Sequence, residues 1–295
     1  MQVGFIGMGV MGLPMAGHII TAGHTVTVSS RSQGPVDQAV ALGAIDGRTP
    51  AGVAEASDVI VVCVPDTPDV QAVVEALIAS LRPGAILLDC STIDPAAEIE
   101  LHHLVSNAGG RYLDGPVSGG SIGAQRGTLS VMVGGDAATL DEARPVIEAF
   151  SSLIVHVGGP GAGQVVKLAN NLIYAAQMAA VAEAFTMVNG SSVSLAAALE
   201  VLSASTGNCT ALQTRIPFEG VQPESPVSNG WKPGFATALM TKDLRLALAH
   251  GERVGVRMRA TEMSHALHAA AVEAGYGADD MASVGRVVRA EAGQL

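Results

Sequence analysis

Through its first half the chain alternates short apolar runs with longer segments of helical period. Gln2–Ile6, His24–Ser29, Ser57–Val64, Ala85–Asp89, Arg111–Asp114, Ser130–Val133 and Leu153–His156 are apolar and bounded by turn residues, which predicts buried strands. Short strands separated by helices predict a parallel, doubly wound sheet with both faces covered. Gly158-Gly159-Pro160-Gly161 interrupts the alternation and is expected to be a linker, dividing the chain into residues 1–160 and 161–295. Beyond it every segment reads as helix. Gly163 to Val188 is apolar almost all round, so this helix should be buried on most faces. The expected class is α/β, a doubly wound parallel sheet followed by an all-α C-terminal domain.

The end of the first strand adds a candidate site to this fold. Gly7-Met8-Gly9-Val10-Met11-Gly12 follows Ile6 without a gap and leads straight into the apolar Leu13–Ile20. Strand, G-x-G-x-x-G and helix in direct succession form the context in which that motif binds a dinucleotide. The first glycine permits the tight turn, the second lets a pyrophosphate approach the backbone, and the third lets helix and strand pack closely. Free N–H groups and the dipole at the helix N-terminus favour the phosphates. A glycine-rich turn that binds nothing is the alternative, and the context disfavours it. The N-terminal domain is therefore expected to be Rossmann-type, with Gly7, Met8, Gly9, Val10, Met11 and Gly12 on the cofactor.

An NAD site usually ends its second strand with an acid for the ribose 2′-hydroxyl. Here the chain reads Ser29-Ser30-Arg31-Ser32, with no acid before Asp37. A guanidinium can hold a 2′-phosphate through paired, charge-assisted hydrogen bonds, and the hydroxyls of Ser30 and Ser32 can add neutral ones. NADP is expected, with NAD as the alternative if Arg31 is a solvated loop charge. Ligands of such sheets sit at the carboxyl ends of strands, which makes Gly7–Gly12, Val64–Thr67 and Ser91–Asp94 the candidate loops.

In the long helix, Lys167, Asn171 and Tyr174 are spaced to share one face. A lysine and an amide in an apolar helix carry a desolvation cost that something must offset. Residue types alone leave Lys167 either a buried functional group or a side chain that reaches the surface from the helix start.

Composition narrows the class. The 295 residues are 48% hydrophobic and 15% charged, enough for a sizeable core, with aromatics at only 3%. A net charge of −11 argues against nucleic acid or an anionic membrane as partner. Cys63, Cys90 and Cys209 are few and widely spaced, matching neither a disulfide framework nor a metal cluster. No leader-like segment precedes the first strand, and polar residues interrupt the apolar stretch near residue 175, so a cytoplasmic protein is expected. His265 and His268 are expected to be surface or core histidines, Trp231 to pack, and Glu252-Arg253 and Arg286 to Glu291 to be solvated helix faces.

Four segments taken together resemble the β-hydroxyacid dehydrogenase family, the group containing 3-hydroxyisobutyrate dehydrogenase and tartronate semialdehyde reductase. They are Gly4–Gly12, Asp114-Gly115-Pro116-Val117-Ser118-Gly119-Gly120, Gly163–Asn171 and Lys242-Asp243-Leu244, in the family's order and spread over nearly the whole chain. Pro217–Val221, Pro226, Gly234-Phe235 and Leu239–Leu244 look closest to the 3-hydroxyisobutyrate branch. Two departures stand out. Human-type members carry an acid where this chain has Ser30-Arg31, and the branch often has an arginine and a tryptophan where this chain reads Ser205-Thr206-Gly207-Asn208-Cys209-Thr210.

The resemblance implies a nicotinamide-dependent oxidoreductase in which Lys167 is the general acid/base, with Asn171 one turn along holding the ammonium or the substrate oxygen. Ser118, Gly119 and Gly120 would take the substrate carboxylate, a hydroxyl and successive N–H groups making an anion-binding concavity. Val64, Pro65 and Thr92 would line the cofactor, Phe235 and Lys242 would close its nicotinamide end, and Asp243 would orient Lys242 or a helix. A carboxylate at Ser118–Gly120 and a base at Lys167 favour 3-hydroxy over 2-hydroxy acids. Apolar Phe235, Leu172 and Trp231 would favour a methyl branch, hence 3-hydroxyisobutyrate. The alternatives are a reductase of tartronate semialdehyde or other short semialdehydes, a serine 3-dehydrogenase, and a non-catalytic dinucleotide sensor. The joint presence of Ser118, Lys167, Asn171 and Lys242 argues against the sensor, and Lys167 against an imine reductase. No metal is expected, and the apolar helix suggests a homodimer or homotetramer.

Overall fold

The computed structural model describes residues 1–294, which fall into two compact units, Met1–Lys167 and the chain from Leu168 onward. The dividing line lies inside one long helix.

The first unit is built on nine strands: β1 (Gln2–Ile6), β2 (Thr25–Ser29), β3 (Ile45–Asp46), β4 (Val59–Val62), β5 (Ile86–Asp89), β6 (Arg111–Asp114), β7 (Val117–Ser118), β8 (Leu129–Gly135) and β9 (Ser151–Gly158). Their order begins β3-β2-β1-β4-β5-β6, all parallel, so the winding reverses between β1 and β4. The far side is mixed. β8 runs antiparallel to β6 and, past the Gly115-Pro116 bend, antiparallel to β7, while β9 pairs parallel to β8. β3 and β7 have two residues each, too short for a period-two pattern to show in sequence.

Helices α1 (Gly12–Thr21), α2 (Gln33–Ala41), α3 (Pro50–Glu55), α4 (Thr67–Leu77), α5 (Pro95–Asn107), α6 (Gly120–Arg126) and α7 (Ala137–Glu148) cover the sheet. Every residue of β4 and β5 is buried, because both faces are covered. Val59, Val61, Ile86 and Leu88 enter one core with Phe5, Met15 and Ile19, while Ile60, Val62 and Leu87 enter the opposite one with Val70, Val74 and Leu101. Helix starts are fixed locally. Asp66 and Asp69 form a capping box on α4, Asp94 precedes Pro95 as the cap of α5, and Asp136 caps α7.

Helix α8 (Ala162–Asn189) begins in the first unit and continues into the second, where α9 (Leu195–Ser203), α10 (Thr210–Thr214), α11 (Thr237–Arg253), α12 (Arg259–Ala271) and α13 (Val284–Glu291) follow. Beyond β9 the described residues hold no strand, only an isolated bridge between Ala236 and Asp280. By length and composition α8 could cross a membrane, yet Ala175, Met178, Ala182 and Phe185 on it pack with Leu212, Ile216, Met240, Leu244 and Met281 in the second core. Val165, Val166, Ile173 and Met187 are exposed, so the expected burial on most faces is corrected to burial of one stripe. Asp280 is a buried node of this unit. Its carboxylate accepts from Arg215 Nε at 2.9 Å and from the N–H groups of Gly234 and Phe235 at 2.9 and 3.2 Å.

Candidate active site

The glycine loop separates two reasons for glycine. Gly7 has φ +103°, and a Cβ there would lie 2.2 Å from the carbonyl oxygen of Cys63; a Cβ on Gly12 would lie 1.9 Å from the Gly7 carbonyl oxygen. The protein's own packing thus demands both. A Cβ on Gly9 would meet nothing of the protein within 4 Å. The fold does not need glycine at this position, whereas a pyrophosphate brought against the backbone does. Helix α1 also starts without a side-chain cap and with no acid in its first turn, leaving N–H groups and the positive dipole end for phosphate. The residues present therefore fit a dinucleotide.

At the end of β2, Ser30 Oγ accepts the Met8 N–H at 3.3 Å, which ties this strand end to the glycine loop and leaves its own O–H free to donate. Arg31 is exposed, and its Nη1 lies 3.0 Å from Asp69 Oδ1 at the start of α4. Ser32 precedes α2 without bonding to it. The loops after β4 and β5 are laced together. Ser91 Oγ accepts the Val64 N–H at 3.0 Å, and Thr67 Oγ1 accepts the Asp94 N–H at 3.2 Å. Gly7–Gly12, Ser30–Ser32, Val64–Pro65 and Thr92 thus share the carboxyl edge of one sheet, where β2, β1, β4 and β5 end side by side.

The Asp114–Gly120 segment holds the start of α8. Asp114, buried at the end of β6, accepts the N–H of Gly161 at 2.8 Å and of Gln164 at 3.2 Å. A Cβ on Gly163 would lie 2.3 Å from the Met132 carbonyl oxygen and 2.7 Å from Asp114 Oδ2, which accounts for that glycine. Farther along, Ser118 ends β7, and Gly119 and Gly120 both have positive φ, +136° and +61°. Lys167 is buried on α8.

Beneath this edge lie three buried carboxyls, Asp89, Glu98 and Asp114. Glu98 accepts from Tyr112 Oη and from Gln164 Nε2, each at 2.6 Å. Burial pushes Asp89 up to about 6 and Glu98 well above the usual carboxylate range, with charge repulsion inside the cluster adding to both. Asp114 is raised by burial despite its backbone donors.

In the second unit Asn171 and Asp243 are buried together, Asn171 Nδ2 donating to Asp243 Oδ2 at 2.6 Å, and Lys242 Nζ lies 2.9 Å from Asp243 Oδ1. Phe235 precedes α11 and is anchored through its N–H by Asp280. Trp231 is packed, as expected. It is buried, donates from Nε1 to Glu219 at 3.2 Å, and carries the Arg286 guanidinium 3.8 Å above its ring. Arg286 also lies over Tyr276 and pairs with Asp279 at 2.7 Å, and Arg289 lies over Phe218, so the expected solvated face from Arg286 is corrected. The cause is the aromatic surface contributed by distant loops, invisible in a charge run.

Sequence reasoning missed Gln164, Glu98, Asp69 and Asp280. Gln164 stands three residues before Lys167 and was the only one with a signal, a polar side chain in an apolar helix. Nothing in Pro95-Ala96-Ala97-Glu98-Ile99-Glu100 distinguishes buried Glu98 from exposed Glu100.

A doubly wound sheet with this glycine loop at its carboxyl edge and a buried lysine in the helix that follows defines a dinucleotide-dependent oxidoreductase. Residues 2–158 match the family described as the NAD binding domain of 6-phosphogluconate dehydrogenase, and residues 161–288 match that described as NAD-binding of NADP-dependent 3-hydroxyisobutyrate dehydrogenase. A probable 3-hydroxyisobutyrate dehydrogenase of Mycobacterium tuberculosis is 41% identical over 247 residues, 83% of this chain and 84% of its own. An NAD-dependent L-serine dehydrogenase of Pseudomonas aeruginosa is 35% identical and spans 99% of each chain. The solved structure of M. tuberculosis 3-hydroxyisobutyrate dehydrogenase with L-serine superposes with a TM-score of 0.90 at 37% identity, covering 97% of this chain and 98% of that one. The chain belongs to the β-hydroxyacid dehydrogenase family and is an NAD(P)-dependent hydroxyacid dehydrogenase.

Proposed function

We propose that this enzyme oxidises a small 3-hydroxy acid with NADP, 3-hydroxyisobutyrate first among its substrates and methylmalonate semialdehyde its product, with Lys167 as general acid/base. The nicotinamide, when bound, supplies the hydride acceptor. The carbon loses hydride only as its hydroxyl loses a proton, so a base must lie about 3 Å from that oxygen. Lys167, buried on α8, takes the proton. Asn171 orients the reacting oxygen or the amine, held by Asp243. Ser118 Oγ and the N–H groups of Gly119 and Gly120, both at positive φ, receive the carboxylate. Ser30, Arg31 and Ser32 take the 2′-phosphate, and Val64, Pro65, Thr92, Phe235 and Lys242 flank the cofactor.

The observation that carries this reading is Asp114. It opens the segment that ends in Ser118–Gly120, and its carboxylate anchors the first turn of the helix bearing Lys167. Carboxylate site and base are thereby tied to one residue, which supports a fixed spacing between acid group and reacting carbon.

A serine-directed activity is the second reading, favoured by the P. aeruginosa relative's likeness over the whole chain. Initial rates of nicotinamide reduction with 3-hydroxyisobutyrate, serine, glycerate and lactate test both. One methyl in an apolar pocket discriminates by roughly 10–200-fold, so overlapping activities are expected, 3-hydroxyisobutyrate leading. Serine leading would transfer the assignment to the second reading. Lactate oxidised faster than every 3-hydroxy acid would sink the spacing argument.

A further inference from the structure

We propose that Gln164 is a positioning residue whose side-chain amide locks the first turn of α8 to the loop after β5, fixing Lys167 relative to the strand ends that flank the cofactor. Gln164 is fully buried, and its amide oxygen and both amide N–H groups are bonded. Oε1 accepts the Ile93 N–H at 3.1 Å, while Nε2 donates to the Ser91 carbonyl at 3.0 Å and to Glu98 Oε1 at 2.6 Å. Its own N–H is taken by Asp114. Glu98, on α5, is held in turn by Tyr112 of β6, and Ser91 accepts from Val64 in the neighbouring loop. One planar group therefore joins α8, α5 and the β5 loop, with the β4 loop attached through Ser91.

Glutamine suits this position because its amide offers two donors and an acceptor in one plane without charge. An apolar side chain here would leave the Ile93 N–H, the Ser91 carbonyl and Glu98 without these partners, so the amide holds both the stability and the orientation of the turn. Lys167 follows three residues later on the same helix, about 4.5 Å along its axis, so a tilt of the first turn is passed to the amine. A displacement of about 1 Å at a reacting group can cost on the order of 100-fold in rate.

The inference rests on the reading of Lys167 as the base, and the test separates the two. Gln164→Glu, Gln164→Leu, the reciprocal Glu98→Gln/Gln164→Glu and Lys167→Ala are compared for kcat, KM, cofactor affinity and thermal midpoint. Gln164→Glu loses both donors and sets a carboxylate against Glu98; kcat is expected to fall about 10–100-fold with KM for the hydroxy acid changed less than about threefold. The double variant regains the amide–carboxylate bond to α5 in reversed order, but not the donor to the Ser91 carbonyl, and should recover part of that loss. If a single variant does not fold, the double variant decides: kcat within about 10-fold of native supports the clamp, and a larger loss overturns it. Folded single variants with native kcat also overturn it, leaving the base reading intact if Lys167→Ala is inactive. An active Lys167→Ala removes the base reading and this inference with it.

Discussion

Asn171 and Asp243, 72 residues apart, meet in a buried 2.6 Å hydrogen bond, and the same carboxylate lies 2.9 Å from Lys242 Nζ. Asp243 thus fixes two side chains that we propose act at the site, Asn171 by accepting an amide hydrogen and Lys242 by charge. Asp243→Asn keeps the shape but removes the charge, and forces one amide to face another. Because both partners are positioned rather than supplied, kcat should fall by roughly 10-fold or more while the enzyme still folds and binds cofactor. Steady-state kinetics beside a cofactor fluorescence titration check this, and an Asn variant with native kcat would show that Asp243 serves packing alone.

What was legible in the sequence was what is local. Gly7 and Gly12 could be read because turn, strand and helix are contiguous, and the structure shows the contacts that require them. β1, β2, β4, β5 and β6 were legible because buried parallel strands are short uninterrupted apolar runs. β8 was read as well, although it runs antiparallel to β6 and β7, whereas β9, expected to be buried, has no buried residue because it pairs with β8 alone at the sheet edge. The two-residue strands β3 and β7 were not legible, since their pairing is set by neighbours and not by their own pattern. Partners across long separations were also hidden. Arg31 could be read as a free cation at the end of β2, but Asp69 reaches it from a helix start 38 residues on. Likewise Glu98 meets Gln164 across 66 residues, and only the fold brings that acid indoors.

The Arg31–Asp69 pair gives the cofactor expectation a specific form. If Arg31 takes the 2′-phosphate as proposed, Asp69 would compete for its guanidinium, so Asp69→Ala should raise kcat/KM for NADP relative to NAD. Arg31→Asp should do the reverse, since its carboxylate repels the phosphate and can accept from a 2′-hydroxyl. The ratio of kcat/KM for the two cofactors is the readout. An unchanged ratio in Arg31→Asp would remove Arg31 from the cofactor site.

His268 is fully buried on α12, with Nδ1 2.8 Å from the Ser264 carbonyl oxygen, which can only accept, so Nδ1 carries the proton of a neutral ring. Burial lowers its pKa from 6.5 to about 4. As pH falls below 6.5 the unfolded chain takes up a proton that the folded ring refuses until about 4, so stability is lost over that interval. At pH 5 the loss from this group is about 2 kcal/mol. Denaturant unfolding of the wild type and His268→Gln at pH 7.5 and pH 5 should show a smaller drop for the variant. Equal drops would mean that His268 is protonated in the folded state.

The central claim, that Lys167 moves the proton, is tested most directly by the turnover of Lys167→Ala with 3-hydroxyisobutyrate and NADP, alongside a cofactor-binding titration of the same preparation. General acid–base catalysis supplies about 10²–10⁴-fold. The expected result is turnover reduced by at least about 100-fold with cofactor affinity preserved. An alanine variant that keeps more than about a tenth of wild-type turnover would contradict the assignment.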